Sequence, residues 1–259
     1  MNNIEITNYL RGFTPVGGGS RIQGGAELSD IGLKLTMEGI ATFYKSLRDL
    51  MPNGIVDITV MDCSASMTHI GRIYKEYNSD KSFPKHRYDL VYQSIFDSVG
   101  IEADCNILEI GLGTNNPDIV SHMGRAGTPG ASLFAYRDFF TNANIFGADI
   151  DKRILFESDR IKTTWVDQLN IESFEVMHNN LGNPELDIFI EDGLHSVPAS
   201  LNSLNYAIKH VKQGGFIILE DLFNPDNIWQ TIATFIRAVH TFERVELINA
   251  GGLMLVIKV

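Results

Sequence analysis

From Asn106 onward the chain repeats one theme: a short apolar run, a polar or glycine-containing turn, then a longer stretch with helical spacing. NILEIG (106–111), NIFGADI (144–150), TTWVD (163–167), LDIFIED (186–192) and GGFIILED (214–221) read as five strands. Between them SLFAYRDFF, DKRILFESDRI, IESFEVMHNN and SVPASLNSLNYAIKHV read as helices, and NIWQTIATFIRAVHTF as a last one. Strands separated by helical crossovers lie parallel, with helices packed on both faces of the sheet. RVELINA and GLMLVIKV, joined around Gly251-Gly252, predict an antiparallel hairpin that closes the sheet. The expected class is therefore α/β.

The N-terminal part has a different character. Residues 14–32 are glycine-rich and predict a loop. LKLTMEGIATFYKSLRDLM (33–51) carries helical spacing and stops at Pro52-Asn53-Gly54. IVDITVMDCS suits either a strand or an irregular segment, whereas 64–78 and 87–100 read as helices, the second ending at Gly100. A helical cap over residues 1–90, ahead of a Rossmann-like unit over 91–259, is the expected division. The length of 259 residues suits one α/β domain with a smaller appendage.

A formal charge of −11 speaks against a nucleic-acid partner, because a phosphate-binding surface needs a basic excess. The start lacks a signal-peptide pattern and no apolar run is long enough to span a bilayer, so no membrane role is expected. Cys63 and Cys105 form no metal or disulfide spacing, which fits reduced cysteines and a cytoplasmic location.

The chemistry concentrates at the carboxyl ends of the strands, where open α/β sheets bind ligands. Gly111-Leu112-Gly113 directly follows the first strand, and the third glycine of a dinucleotide fingerprint is replaced by Asn116. Asp149 ends the second strand, where a carboxylate can accept both hydroxyls of a ribose; Asp167 ends the third and can accept from an adenine amino group. Glu109, two residues before Gly111, is placed to face a cationic group. E-x-G-x-G with acidic ends on three successive strands resembles the arrangement of class I S-adenosylmethionine-dependent methyltransferases, whose donor is a cation where NAD is not.

Two acidic pairs, Glu191-Asp192 and Glu220-Asp221, close the fourth and fifth strands. Carboxylates crowded together raise one another's pKa, and a divalent cation removes that cost. Oxygen-only ligands favour Mg2+, Mn2+ or Ca2+ over zinc. His195, three residues after Asp192, is placed to take a proton from a substrate hydroxyl.

D-G-x-H after the fourth strand with E-D after the fifth resembles the metal-dependent sugar and macrolide O-methyltransferases. YNSDKSFPKHRYDLVYQSIF (77–96) and PGASLFAYRDFFTNANIFGADID (129–151) extend the resemblance over roughly residues 75–222. It implies a class I methyltransferase sheet, S-adenosylmethionine as donor and Mg2+ held by Asp192, Glu220 and Asp221. It further implies His195 as base, Asp149 at the ribose, Asp167 and Gln168 near the adenine, a small-molecule hydroxyl acceptor and a homo-oligomer. Asn78 replaces the usual glycine, and residues 1–74 carry no likeness. The residues alone leave three other readings open: an NAD(P)-dependent oxidoreductase, a non-catalytic protein that binds S-adenosylmethionine or metal, and an enzyme that uses the metal site for hydrolysis or hydroxylation, which the Glu109 and Asp149 positions disfavour.

Overall fold

A computed structural model of the chain describes residues 39–51 and 54–259. The glycine-rich stretch 14–32 lies outside the described residues, and of the helix expected over 33–51 the described part, 39–50, is helical. Nine strands among the described residues form one sheet: β1 (Ile58–Val60), β2 (Asn106–Ile110), β3 (Asn144–Asp149), β4 (Glu157–Ser158), β5 (Ile161–Trp165), β6 (Leu186–Glu191), β7 (Val211–Leu219), β8 (Arg244–Asn249) and β9 (Leu253–Lys258). Their order across the sheet is β1-β8-β9-β7-β6-β2-β3-β5-β4. The five expected strands are parallel to one another, and β8–β9 form the expected antiparallel hairpin, with β9 also antiparallel to β7.

The chain winds outward from β2 through β3 to β5, then returns to lay β6 and β7 on the other side of β2. That reversal opens a crevice at the carboxyl ends of β2, β3 and β6. Helices α1 (His69–Glu76), α2 (Tyr88–Val99) and α3 (Ala131–Phe139) cover one face, packing Tyr74, Phe96 and Phe139 against Ile107, Ile188 and Ile218. Helices α4 (Ile171–Leu181), α5 (Val197–His210) and α6 (Ile228–Val239) cover the other, with Met177, Leu204 and Trp229 against Leu108, Phe189 and Leu219. The runs are apolar throughout because both faces are buried. No helix among the described residues is long and apolar enough to cross a membrane.

One expectation is corrected and one open reading is resolved. DKRILFESDRI is not a helix: Asp151 accepts from the Arg153 amide to start a short 3-10 turn (Lys152–Ile154), and Glu157–Ser158 then pairs antiparallel with β5. Ile154, Leu155 and Phe156 are consecutive, so no single helix face could bury all three. IVDITVMDCS resolves as strand β1, which pairs parallel with β8 and so extends the sheet.

The period of two along each strand decides which carboxylates meet. Ile107, Ile188, Ile190 and Ile218 face α1–α3, so Glu109, Asp192 and Glu220 fall on that side too, whereas Glu191 falls with Phe189 on the opposite one. Glu191 pairs in register with Leu219, which sets Asp192 beside Glu220 at the edge.

Candidate active site

Gly111 follows β2 with φ +94°, and its amide donates to the Ala148 carbonyl at 2.8 Å. A Cβ there would lie 2.1 Å from the Asp192 carbonyl oxygen, so only glycine lets the β2 loop pass the end of β6. Asp149 is buried beneath this loop: one oxygen accepts from the Leu112 amide at 2.7 Å and the other from the Asp151 amide at 2.8 Å. Burial pushes its carboxyl above the ordinary range against those donors. Asp149 still borders a cavity of about 370 Å³, together with Ile150, Val166, Asp167 and Leu169.

Gln168 borders the same cavity, and its side-chain amide is held by the protein. Its amide donates to Glu191 Oε1 at 2.7 Å and to Ser203 Oγ at 2.9 Å, and accepts from the Leu194 amide at 2.8 Å. All its polar groups are used inside the protein, where it ties the β5 loop to the turn after β6. Asp167 also borders the cavity and accepts from the Leu169 amide at 3.0 Å.

A second cavity of about 500 Å³ shares Gly111, Gly113 and Asp192 with the first and is also bordered by Glu109, Ser132, Lys81, His195 and Asp221. Lys81, on the segment between α1 and α2, is 2% exposed and reaches into the acidic cluster. Its Nζ lies 2.6 Å from Asp192 Oδ2, 2.6 Å from Glu220 Oε2 and 3.1 Å from Glu109 Oε1. Glu109, expected to meet a cationic group, thus meets one belonging to the protein itself. Its other oxygen accepts from Ser132 Oγ at 2.5 Å. Glu220 also accepts from the Tyr92 hydroxyl. Burial raises the Glu109 and Glu220 carboxyls above their usual range; it opposes the Lys81 charge, but the surrounding carboxylates hold that lysine well above its usual pKa.

At the mouth, Asp192, His195 and Asp221 each bring a ligand atom within 4.8 Å of the others. His195 Nε2 is 3.8 Å from Asp192 Oδ1. Asp221 accepts from the Tyr88 hydroxyl, and His86 stacks on Tyr88 with ring centroids 4.5 Å apart and Nε2 3.8 Å from Asp221 Oδ1. His195 and Asp221 both hold the left-handed conformation, at φ +53° and +50°, a strained choice for such residues that tends to persist where geometry is used. Glu220 is not in this group; its two oxygens are committed to Lys81 and Tyr92.

Four carboxylates, Glu109, Asp192, Glu220 and Asp221, therefore surround one buried ammonium and two imidazoles. If all four are ionised the cluster is short of positive charge, and the two carboxylates at the mouth, Asp192 and Asp221, suit a hard dication. The donor set fits the metal, and each of the two cavities has the size of a small-ligand site. Sequence reasoning did not single out Lys81 or Tyr92, and left His86 and Tyr88 open between lining the site and a packing or surface role. All lie in YNSDKSFPKHRYDLVYQSIF, so the only signal was that stretch's resemblance.

No protein-family model matches the chain. It is 27% identical over 191 residues to the 8-demethyl-8-(2-methoxy-alpha-L-rhamnosyl)-tetracenomycin-C 3'-O-methyltransferase of Streptomyces olivaceus, covering 71% of this chain and 46% of that one. It is 26% identical over 162 residues to the demethylmacrocin O-methyltransferase of Streptomyces fradiae, covering 62% and 38%. Over 94 residues it is 31% identical to the mycinamicin VI 2''-O-methyltransferase of Micromonospora griseorubida, covering 36% and 23%. The chain thus spans less than half the length of each of these curated relatives. Among solved structures, the MycE methyltransferase from the mycinamycin biosynthetic pathway in complex with Mg and SAH matches at TM-score 0.50 and 25% identity, over 60% of this chain and 38% of that one. The same enzyme with Mg, SAH and mycinamycin VI matches at TM-score 0.59 and 19% identity, over 74% and 54%. The chain has the class I methyltransferase fold and is similar in sequence to the sugar O-methyltransferases of macrolide and tetracenomycin biosynthesis.

Proposed function

We propose that this chain is an S-adenosylmethionine-dependent, dication-requiring O-methyltransferase acting on a hydroxyl of a small glycosylated or polyketide-type acceptor. The observation that carries the reading is that the cavity beside Asp149 and the cavity beside His195 and Asp221 share Gly111, Gly113 and Asp192 in their walls. The relatives' names support the acceptor class, and the Mg and SAH in the MycE structures support the donor and the ion.

In this reading Asp149 and Asp167 hold the nucleoside end of the donor, and the Gly111–Gly113 backbone lets its chain pass between the two cavities. Asp192 and Asp221 hold Mg2+ or a similar hard ion, and Glu220, the third expected ligand, supports them through Lys81. When bound, the donor supplies an electrophilic methyl and the ion supplies Lewis acidity toward the acceptor hydroxyl. His195 takes the hydroxyl proton at Nε2, which stands 3.8 Å from Asp192 Oδ1 beside the ion's ligands. Holding acceptor oxygen and methyl in line supplies most of the acceleration, on the order of 7–11 kcal/mol. The division into a cap of residues 1–90 and a donor-binding unit of residues 91–259 belongs to the same reading. It is supported by Asn78, Ser79, Asp80 and Lys81, which form one wall of the second cavity.

The test is transfer of labelled methyl from S-adenosylmethionine to a panel of rhamnosyl and macrolide glycosides, with and without EDTA. EDTA-sensitive, Mg2+-restored methylation of one hydroxyl class is the expected result. Reduction of NAD(P) by the same panel, with no methyl transfer, overturns the reading.

A further inference from the structure

Lys81 has an unusual position for an ammonium. Its Nζ donates to Asp192 Oδ2 and Glu220 Oε2, each at 2.6 Å, and forms an ion pair with Glu109 Oε1 at 3.1 Å. An unpaired ammonium this deeply buried is prohibitive, so the pairing is required for the lysine to be there. The second oxygens of the same carboxylates have other tasks. Glu109 Oε2 accepts from Ser132 and Glu220 Oε1 from Tyr92, whereas Asp192 Oδ1 faces His195 at the mouth. Asp192 is therefore the carboxylate shared between the lysine and the opening.

A cage of three carboxylates is also what a hard dication takes. We infer that Lys81 is a positioning residue that stands in the second cation position of this acidic cluster, restricting the site to one divalent ion held between Asp192 and Asp221. By keeping Glu109 and Glu220 turned inward and sharing Asp192, the tethered charge both aims the mouth ligands and weakens their hold on the ion. The inference rests on the methyl-transfer reading for the presence of that ion.

The experiment uses the full chain with Lys81→Met, which keeps the stem and removes the charge. Mn2+ binding is followed by calorimetry and by metal count after gel filtration, with S-adenosylhomocysteine affinity measured in parallel. Loss of a positive charge beside Asp192 should tighten Mn2+ binding by about tenfold or more, and the retained metal should rise from about one to about two ions per chain. A lysine that served the fold alone would give the opposite sign, because a loosened cluster binds metal less well. Unchanged or weaker Mn2+ binding at an unchanged count overturns the inference. Should the variant not fold, a crystal of the native chain soaked with Mn2+ decides instead. One anomalous peak between Asp192 and Asp221, with Lys81 still on Glu109 and Glu220, is the expected result. A peak among Glu109, Asp192 and Glu220 with the lysine swung out overturns it. A native chain that takes up neither Mn2+ nor S-adenosylhomocysteine brings down the methyl-transfer reading itself, a result distinct from a normal native chain and an unresponsive Lys81→Met.

Discussion

Gly111→Ala tests the link between the fold and the site. The alanine would have to hold φ near +94°, which costs about 1–2 kcal/mol for a residue with a Cβ. Its Cβ would start 2.1 Å from the Asp192 carbonyl oxygen, where real Cβ contacts stay beyond 3.0 Å, so backbone on one side must retreat by nearly an ångström. Such a shift stretches the 2.8 Å hydrogen bond from the Asp192 amide to the Ile110 carbonyl, worth about 0.5–1.5 kcal/mol. The sum is about 1.5–3.5 kcal/mol of lost stability. For a domain of this size that lowers Tm by roughly 3–14 °C. The displaced element carries Asp192, and an ångström of misplacement near reacting groups costs about 100-fold in rate. Scanning calorimetry and labelled methyl transfer on the same preparation read both effects. A variant that melts with the native chain and turns over at the native rate refutes the argument that this glycine sets the spacing of β2 and β6.

Three further outcomes are expected. His195→Gln lowers turnover by about 10²–10⁴-fold, as loss of a general base does, while calorimetric titrations of S-adenosylhomocysteine and Mn2+ stay near native. Tyr92→Phe removes the buried hydroxyl that donates to Glu220 and costs about 1–3 kcal/mol, read as a drop in Tm at neutral pH. On the far face, burial lowers the pKa of both His178 and His210; the neighbouring His178 and Lys209 push His210 further down, and Glu175 opposes. The unfolded chain then binds protons first once pH falls below about 6.5, so stability drops on that side of neutrality. Melting curves at pH 7.5 and 5.5 should show a smaller acid loss in a His178→Gln/His210→Gln double variant than in the native chain.

The alternation from Asn106 onward made the parallel sheet readable, because each strand is short, apolar and followed by a turn residue. The closing hairpin was readable from two apolar runs around Gly251-Gly252. β1 was not readable. Ile58–Val60 is three residues long and half exposed, and it becomes a strand only because β8 offers a partner edge. Likewise 151–161 carried helix-forming residues, but the pairing of Glu157–Ser158 with β5 overrode them.

At the site, sequence placed the carboxylates at the correct edge without their directions. The two acidic pairs look equivalent, yet pleat alternation sends Glu191 to Gln168 on one face and Glu220 to Lys81 on the other. A one-residue offset between strands β6 and β7 produces that difference, and only their register reveals it. Lys81 is further still from sequence reach. It lies 111 residues from Asp192 and 139 from Glu220, on a segment with no periodic pattern of its own.

The central claim is that a dication held by Asp192 and Asp221 lies beside the methyl group of the donor. Paramagnetic broadening of the 13C-methyl resonance of S-adenosylmethionine, bound to the Mn2+-loaded chain, reads that proximity directly. Strong broadening that is lost in Asp221→Asn while the donor remains bound is the result expected. A donor that binds with its methyl signal sharp in the presence of saturating Mn2+ would contradict the account.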